Sequence, residues 1–187
     1  LVNPRLALVY LITALGYGGT FIAFTYLTPI LEQVTGFDSK VVSIILLVYG
    51  ISVAIGNLWG GKLADKIGPV QALYKVFIGL AMVMFIFTFT ASNKYLAVAT
   101  ILIWGAFAFG NVPGLQVYVV QLAKEYTPHA VDTASGLNIA AFNIGIAFGA
   151  WVGGIIVSNY SLMDTAWVGS LVVVCAIIVT YYSGMLD

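Results

Sequence analysis

The sequence predicts an all-α membrane protein with six transmembrane helices. Three observations point there. The 187 residues are 61% hydrophobic and only 7% charged, against roughly 25% charged in soluble domains. The apolar residues gather into six stretches, each near the ~20 residues that cross a bilayer as a helix. Along these stretches polar and apolar residues do not alternate, as the strands of a membrane barrel require. Backbone groups in hydrocarbon must be paired within their own segment, so the stretches are helices. Net charge is zero and the basic residues are scattered, which excludes a nucleic-acid surface. The one cysteine, Cys175, lies in an apolar run, so no disulfide framework, metal cluster or cofactor is expected. Nor is an enzyme: the spans hold no paired carboxylates, no histidine at membrane depth and no serine with a basic partner.

The spans run approximately over 6–31, 41–60, 70–91, 95–122, 133–158 and 165–184, as one six-helix bundle over 1–187. Six crossings return the chain to its starting side. Arg5, Lys62, Lys66, Lys75 and Lys124 fall on the side of the termini, and Lys40 and Lys94 on the other. The excess of positive charge places the termini in the cytoplasm.

In the first span, Gly16-Tyr17-Gly18-Gly19 stands near mid-membrane, where three glycines permit a bend or local unwinding. Tyr17 and Phe21, four apart, share a face, as do Phe21 and Phe24, three apart. After the second span, Gly61 to Gly68 reads as a tight reversal loop with glycine at either end. Its Asp65 can accept hydrogen bonds from a neighbouring helix N-terminus, while Lys62 and Lys66 stay among headgroups. Lys75, near the start of the third span, can snorkel.

The fourth span carries Asn111, Pro113, Gly114 and Gln116. Pro113 predicts a kink and a free carbonyl near Phe109. The two amides are too costly to face lipid, so both are expected to turn inward. Trp104 is read as packing. In the fifth span, Asn138 and Asn143 lie about 140° apart on a helix. Gly145, Gly149 and Gly153 form a stripe open to close approach by another helix, and Gly56 and Gly60 of the second span are the expected mates. Asn138 shares the stripe's face and is placed to bond across the contact; Asn143 is assigned to the cavity. Asp132 is expected to cap its own helix, His129 to be a solvated loop residue, and Tyr181 and Tyr182 to sit in the interfacial belt. No Asp, Glu, Lys or Arg lies deep in any span, so these spans supply no ionisable group at membrane depth.

Gly61, Asp65, Lys66 and Gly68 resemble the loop signature of the major facilitator superfamily, but Val70 and Gln71 stand near the place of its closing basic pair. Gly145, Gly149, Gly153 and Gly154 resemble that family's antiporter motif GxxxGPxxGG, with Ala150 in place of proline. The fourth span lacks the arginine that the family's antiporters carry there. These departures look like the degraded copies of the C-terminal half, the family's helices seven to twelve. Phe24 to Pro29, Gly56 to Gly61 and Asn138 to Asn143 look like the arabinose-efflux and drug:proton antiporter branch.

The resemblance implies half of a secondary transporter in the plasma (inner) membrane, exporting a small organic solute such as a sugar or drug by alternating access, with proton coupling. It implies that the first and fourth spans face a central cavity, the second and fifth pack beside it against the companion half, and the third and sixth face lipid. Tyr17, Phe21, Phe24, Asn111, Gln116 and Asn143 are then the solute-binding candidates. Gly61, Asp65, Lys66, Gly68, Pro113, Gly145, Gly149 and Gly153 are the gating candidates. Partners are the solute, the bilayer and a companion six-helix half, in the same polypeptide or as a second copy. A non-transporting receptor or assembly module stays open as an alternative. The start at Leu1, without methionine, is expected to fall inside a larger protein.

Overall fold

A computed structural model describes residues 3–186. Helix α1, Pro4–Phe24, starts at Asn3, whose side chain accepts the Arg5 N–H at 2.8 Å. A short turn, α2 (Leu27–Pro29), and a π-helical segment, Ile30–Val34, complete the first span. Helix α3, Ser39–Ile67, is capped by Asp38, and α4, Pro69–Thr90, opens on proline. The fourth span is two helices, α5 (Lys94–Gly110, capped by Asn93) and α6 (Val112–Tyr126). Beyond a 3₁₀ turn at Pro128–Ala130 follow α7, Val131–Asn159, and α8, Asp164–Met185. Six stretches are long and apolar enough to cross a membrane. The protein is an integral, multi-pass membrane protein.

Three local expectations are corrected. Residues 61–67 are not a loop: α3 continues to Ile67, and Gly68 alone makes the reversal. Gly68 has φ +84°, where a Cβ is strained, and α4 begins at the next residue. Charge therefore marks where the chain leaves hydrocarbon, not where the helix stops. Second, α1 runs unbroken through Gly16, Gly18 and Gly19, and the irregularity comes at Thr25 and Tyr26. Third, no side chain caps α4 or α7, so neither Asp65 nor Asp132 is a cap; Asp132 lies in the first turn of α7, where its charge still suits the helix dipole.

The α1 glycines serve packing instead. A Cβ at Gly16 would strike the Phe77 ring of α4, and one at Gly19 would strike the Gly169 carbonyl of α8. Gly18 lies against the backbone of Gly145 in α7. The stripe Gly145, Gly149, Gly153 mates with α1, resting on the carbonyls of Ala14, Gly18 and Ile22. The expected partner, α3, turns its Gly56 and Gly60 to a different helix, meeting the backbone of Ala106 and Gly110 in α5. Among the described residues glycine brings backbones together in three pairs, α1 with α7, α1 with α8 and α3 with α5, where one was expected. In a bilayer, helix association relies on such close backbone approach rather than on expulsion of water.

Side-chain bonds to backbone carbonyls reinforce the pairs. Ser52 of α3 donates to Leu102 O at 2.6 Å, Ser170 of α8 to Ala81 O at 2.8 Å, and Tyr26 to Ala150 O at 3.3 Å. Arg5 Nη1 donates to Ser183 O at 2.9 Å, and the Tyr118 and Ser183 hydroxyls lie 2.7 Å apart. The starts of α1 and the ends of α6 and α8 thus meet at one end of the bundle. Trp104 is fully buried, against Phe87 at 5.7 Å and Phe24 at 6.4 Å between ring centroids. The least buried spans are α3 and the fifth, with 22% and 28% of their apolar windows covered, against 61% for the first.

Gly60→Ala and Gly149→Ala should each lower the unfolding free energy by about 1–3 kcal/mol, since the facing atoms are backbone and cannot turn aside. Thermal unfolding in detergent, followed by circular dichroism, reads this directly; an unchanged midpoint would mean these helices do not touch.

Candidate functional site

Pro113 forbids a backbone hydrogen bond to Phe109 and crowds the preceding turn, and the fourth span breaks at Asn111. The Phe109 carbonyl is not left free, because the Asn111 N–H turns to it. The Pro113 ring lies beside Gly61 of α3, with 3.7 Å between its Cβ and a Cβ built on that glycine. Beyond the break α6 packs among α1, α3, α4 and α7. Where α1, α6 and α7 converge they enclose a cleft of about 190 Å³, lined by Thr13 and Tyr17, by Val112, Leu115 and Gln116, and by Asn138, Ile139 and Phe142.

The cleft has an apolar wall with a few polar groups and no charged residue. Thr13 Oγ1 donates to Asn138 Oδ1 at 2.7 Å, joining α1 to α7, and both side chains are buried. Asn138 thus bonds across the α1–α7 contact. Gln116 is half-buried, its Oε1 accepting from Ser135 at 3.5 Å. Tyr17 is 2% exposed, and its hydroxyl has no hydrogen-bond partner among the described residues. Its ring meets Phe142 edge-on at 3.9 Å, Phe109 at 6.3 Å and Phe21 at 6.5 Å. Phe24 continues the row, 5.2 Å from Phe21 and stacked on Tyr49 of α3 at 5.3 Å.

Of the solute-binding candidates, Tyr17 and Gln116 come together in the cleft. Phe21 and Phe24 lie half-buried along the aromatic row beyond it. Asn111 does not stand on the cleft wall: it is 1% exposed, its Nδ2 donates to Ala108 O at 3.0 Å, and its Oδ1 is unpartnered. Asn143 is exposed on a different face of α7 from Asn138 and donates to Ile139 O at 3.0 Å. Of the gating candidates, Gly61, Pro113 and the α7 stripe are packed as described, Gly68 forms the reversal, and Asp65 and Lys66 are exposed. Sequence reading missed Thr13 and Phe142. Each stands one turn from a residue it singled out, Tyr17 and Asn138, and so shares its face.

Six membrane-length helices, three of which border a small uncharged cleft, define an integral, multi-pass membrane protein. The chain belongs to the Major Facilitator Superfamily, whose family model matches residues 1–131. It is 54% identical over 185 residues to the uncharacterized MFS-type transporter YtbD of Bacillus subtilis (strain 168), covering 99% of this chain and 46% of that protein. It is 36% identical over 187 residues to the inner membrane transport protein YdhP of Escherichia coli (strain K12), covering 98% of this chain and 46% of that protein. A further relative is the uncharacterized MFS-type transporter YfhI of Bacillus subtilis (strain 168), 32% identical over 93% of this chain and 43% of that protein. The chain therefore spans about half the length of these relatives.

Thr13→Val removes the donor to Asn138 and should cost about 0.6–1.7 kcal/mol, the range for hydrogen bonds between membrane helices. Thermal unfolding of the variant, compared with Asn138→Leu and the double mutant, checks it: a coupled pair gives a double mutant short of the sum of the singles.

Proposed function

We propose that this chain is the C-terminal half of a secondary active transporter that moves a small organic solute by alternating access. The observation that carries the reading is the uncharged polar and aromatic cleft between α1, α6 and α7. At about 190 Å³ it falls short of the ~300–1,000 Å³ typical of small-molecule sites, as one wall of a shared cavity would. The companion is a second six-helix half on the same polypeptide. The relatives' greater length supports it, as do the uncovered faces of α3 and α7, where Leu47, Leu58, Ile144 and Trp151 are all more than 60% exposed. Asn143 shares that uncovered face of α7, and there it meets solute or the companion.

The exported solute is a sugar- or drug-sized molecule, and coupling is to protons. The charges of these spans lie toward their ends; Lys75, six residues past Pro69, is the farthest in. The proton-binding group accordingly belongs to the companion half, since proton relays need an ionisable residue at membrane depth. The end of the bundle that holds Arg5, Lys62, Lys66, Lys75 and Lys124 is cytoplasmic, and the membrane is the inner one, as for the relative from Escherichia coli. No chemical reaction is assigned to the chain. Asp65, exposed at that end, pairs with a base of the companion half when the cytoplasmic side is closed and so biases the equilibrium between the two states.

The test is the full-length protein in proteoliposomes with an imposed pH gradient, scored for solute-dependent proton movement across a panel of sugars and amphipathic drugs. Transport that is lost when the gradient collapses supports the reading. Solute movement indifferent to the gradient removes proton coupling, and stable binding of a protein partner with no flux of any solute removes transport. Once a solute is known, Gln116→Ala should raise its KM about 5- to 10-fold with unchanged folding, the loss of one hydrogen bond in a dry site. Asp65→Asn should change the maximal rate more than KM; the reverse pattern would refute its gating role.

A further inference from the structure

A second concave site lies outside the cleft, between α4 and α8 at the end of the bundle that holds the chain termini. Its volume is about 320 Å³. Val70 and Gly184 bring the two helices together at its base: a Cβ on Gly184 would stand 2.6 Å from Val70 Cγ1. Tyr74 and Tyr181 form its walls, their ring centroids 6.2 Å apart. Lys75 stands on its lining, exposed, with no hydrogen bond or ion pair to any described residue.

The surroundings identify the medium into which it opens. The outer face of α8 exposes Leu171, Val174 and Ile178 between Trp167 at one end and Tyr181 and Tyr182 at the other. Aromatic residues at both ends of an apolar stretch mark the two interfaces of a bilayer. The groove is thus at the depth where headgroups give way to acyl chains. Six residues into α4, the Lys75 backbone is about 9 Å below the helix start, so its stem can extend toward the headgroups while the ammonium needs a counter-ion. Among the described residues, none that lines the groove is acidic. A neighbouring cleft that shares Val70 and Gln71 has Glu125 and no basic residue, so the two recesses differ in sign.

We propose that the α4–α8 groove is a binding site for an anionic glycerophospholipid of the surrounding leaflet. Lys75 takes the phosphate, Gln71 and the hydroxyls of Tyr74 and Tyr181 take the glycerol and ester oxygens, and the first methylenes of an acyl chain lie along Val70 and Met185. One cation on a lining whose described residues include no carboxylate favours phosphatidylglycerol over a zwitterionic lipid, whose own cation finds no partner among them.

Native mass spectrometry of the full-length protein, delipidated and titrated with phosphatidylglycerol or phosphatidylcholine, tests the assignment. Phosphatidylglycerol should bind more tightly, and Lys75→Gln should weaken it about 5-fold, the effect of one interfacial lysine. Phosphatidylcholine binding should be unaffected, and Lys75→Arg should retain the preference. Glycerol phosphate, which lacks acyl chains, should not compete; if it does, the site takes free phosphates and the lipid assignment fails. Equal binding of the two lipids, or equal losses in Lys75→Gln and the control Lys40→Gln at the opposite end, overturns the proposal. Lys75 is exposed, so folding should survive both substitutions, with size-exclusion profiles as the check.

Discussion

Three helices reach the backbone of α1 through positions where one side of the contact has no side chain. Gly16 receives the Phe77 ring of α4, Gly19 receives α8 at Gly169, and the α7 stripe settles on the carbonyls of Ala14, Gly18 and Ile22. Inside a bilayer no water is gained by bringing apolar helices together, so dispersion contacts at short range must hold them. The polar and aromatic contacts between α1 and α7 depend on this approach. The Thr13–Asn138 bond forms because α1 and α7 are already close, and Tyr17 meets Phe142 for the same reason.

The second close contact, α3 on α5, is separate from the first and has its own polar tie in Ser52 and Leu102 O. The break at Asn111 lies between the two. Before it α5 packs on α3 and α4; beyond it α6 keeps α3 and α4 as neighbours, adds α1 and α7, and brings Gln116 to the cleft. Pro113 beside Gly61 keeps α3 in register with the break, so the charged end of α3 and the polar wall of the cleft are linked through two packed residues.

Much of this architecture was legible in the sequence, because the length of an apolar run reports a membrane crossing directly. Which helices pair was not. A run of glycines four apart says that a backbone can come near, but the receiving surface of α1 consists of carbonyl oxygens, which every residue supplies. The expected unwinding at Gly16 to Gly19 failed for a related reason. Weak helix propensity matters where water can take the freed backbone groups, and in hydrocarbon nothing can. Asn111 read as a cavity residue because buried amides are costly, yet the kink gives its Nδ2 a local carbonyl. Tyr17 and Gln116 were readable because polar or aromatic character and position agreed; Thr13 was passed over because a threonine can satisfy itself within its own helix.

The packing of α1 bears on the recess beside it. Its backbone rests on backbone toward α7 and α8 and on the Phe77 ring toward α4, so α1 cannot move to widen the recess without losing contact with its neighbours. A displacement of α1 would therefore have to carry α7 and α8 with it or give up these contacts.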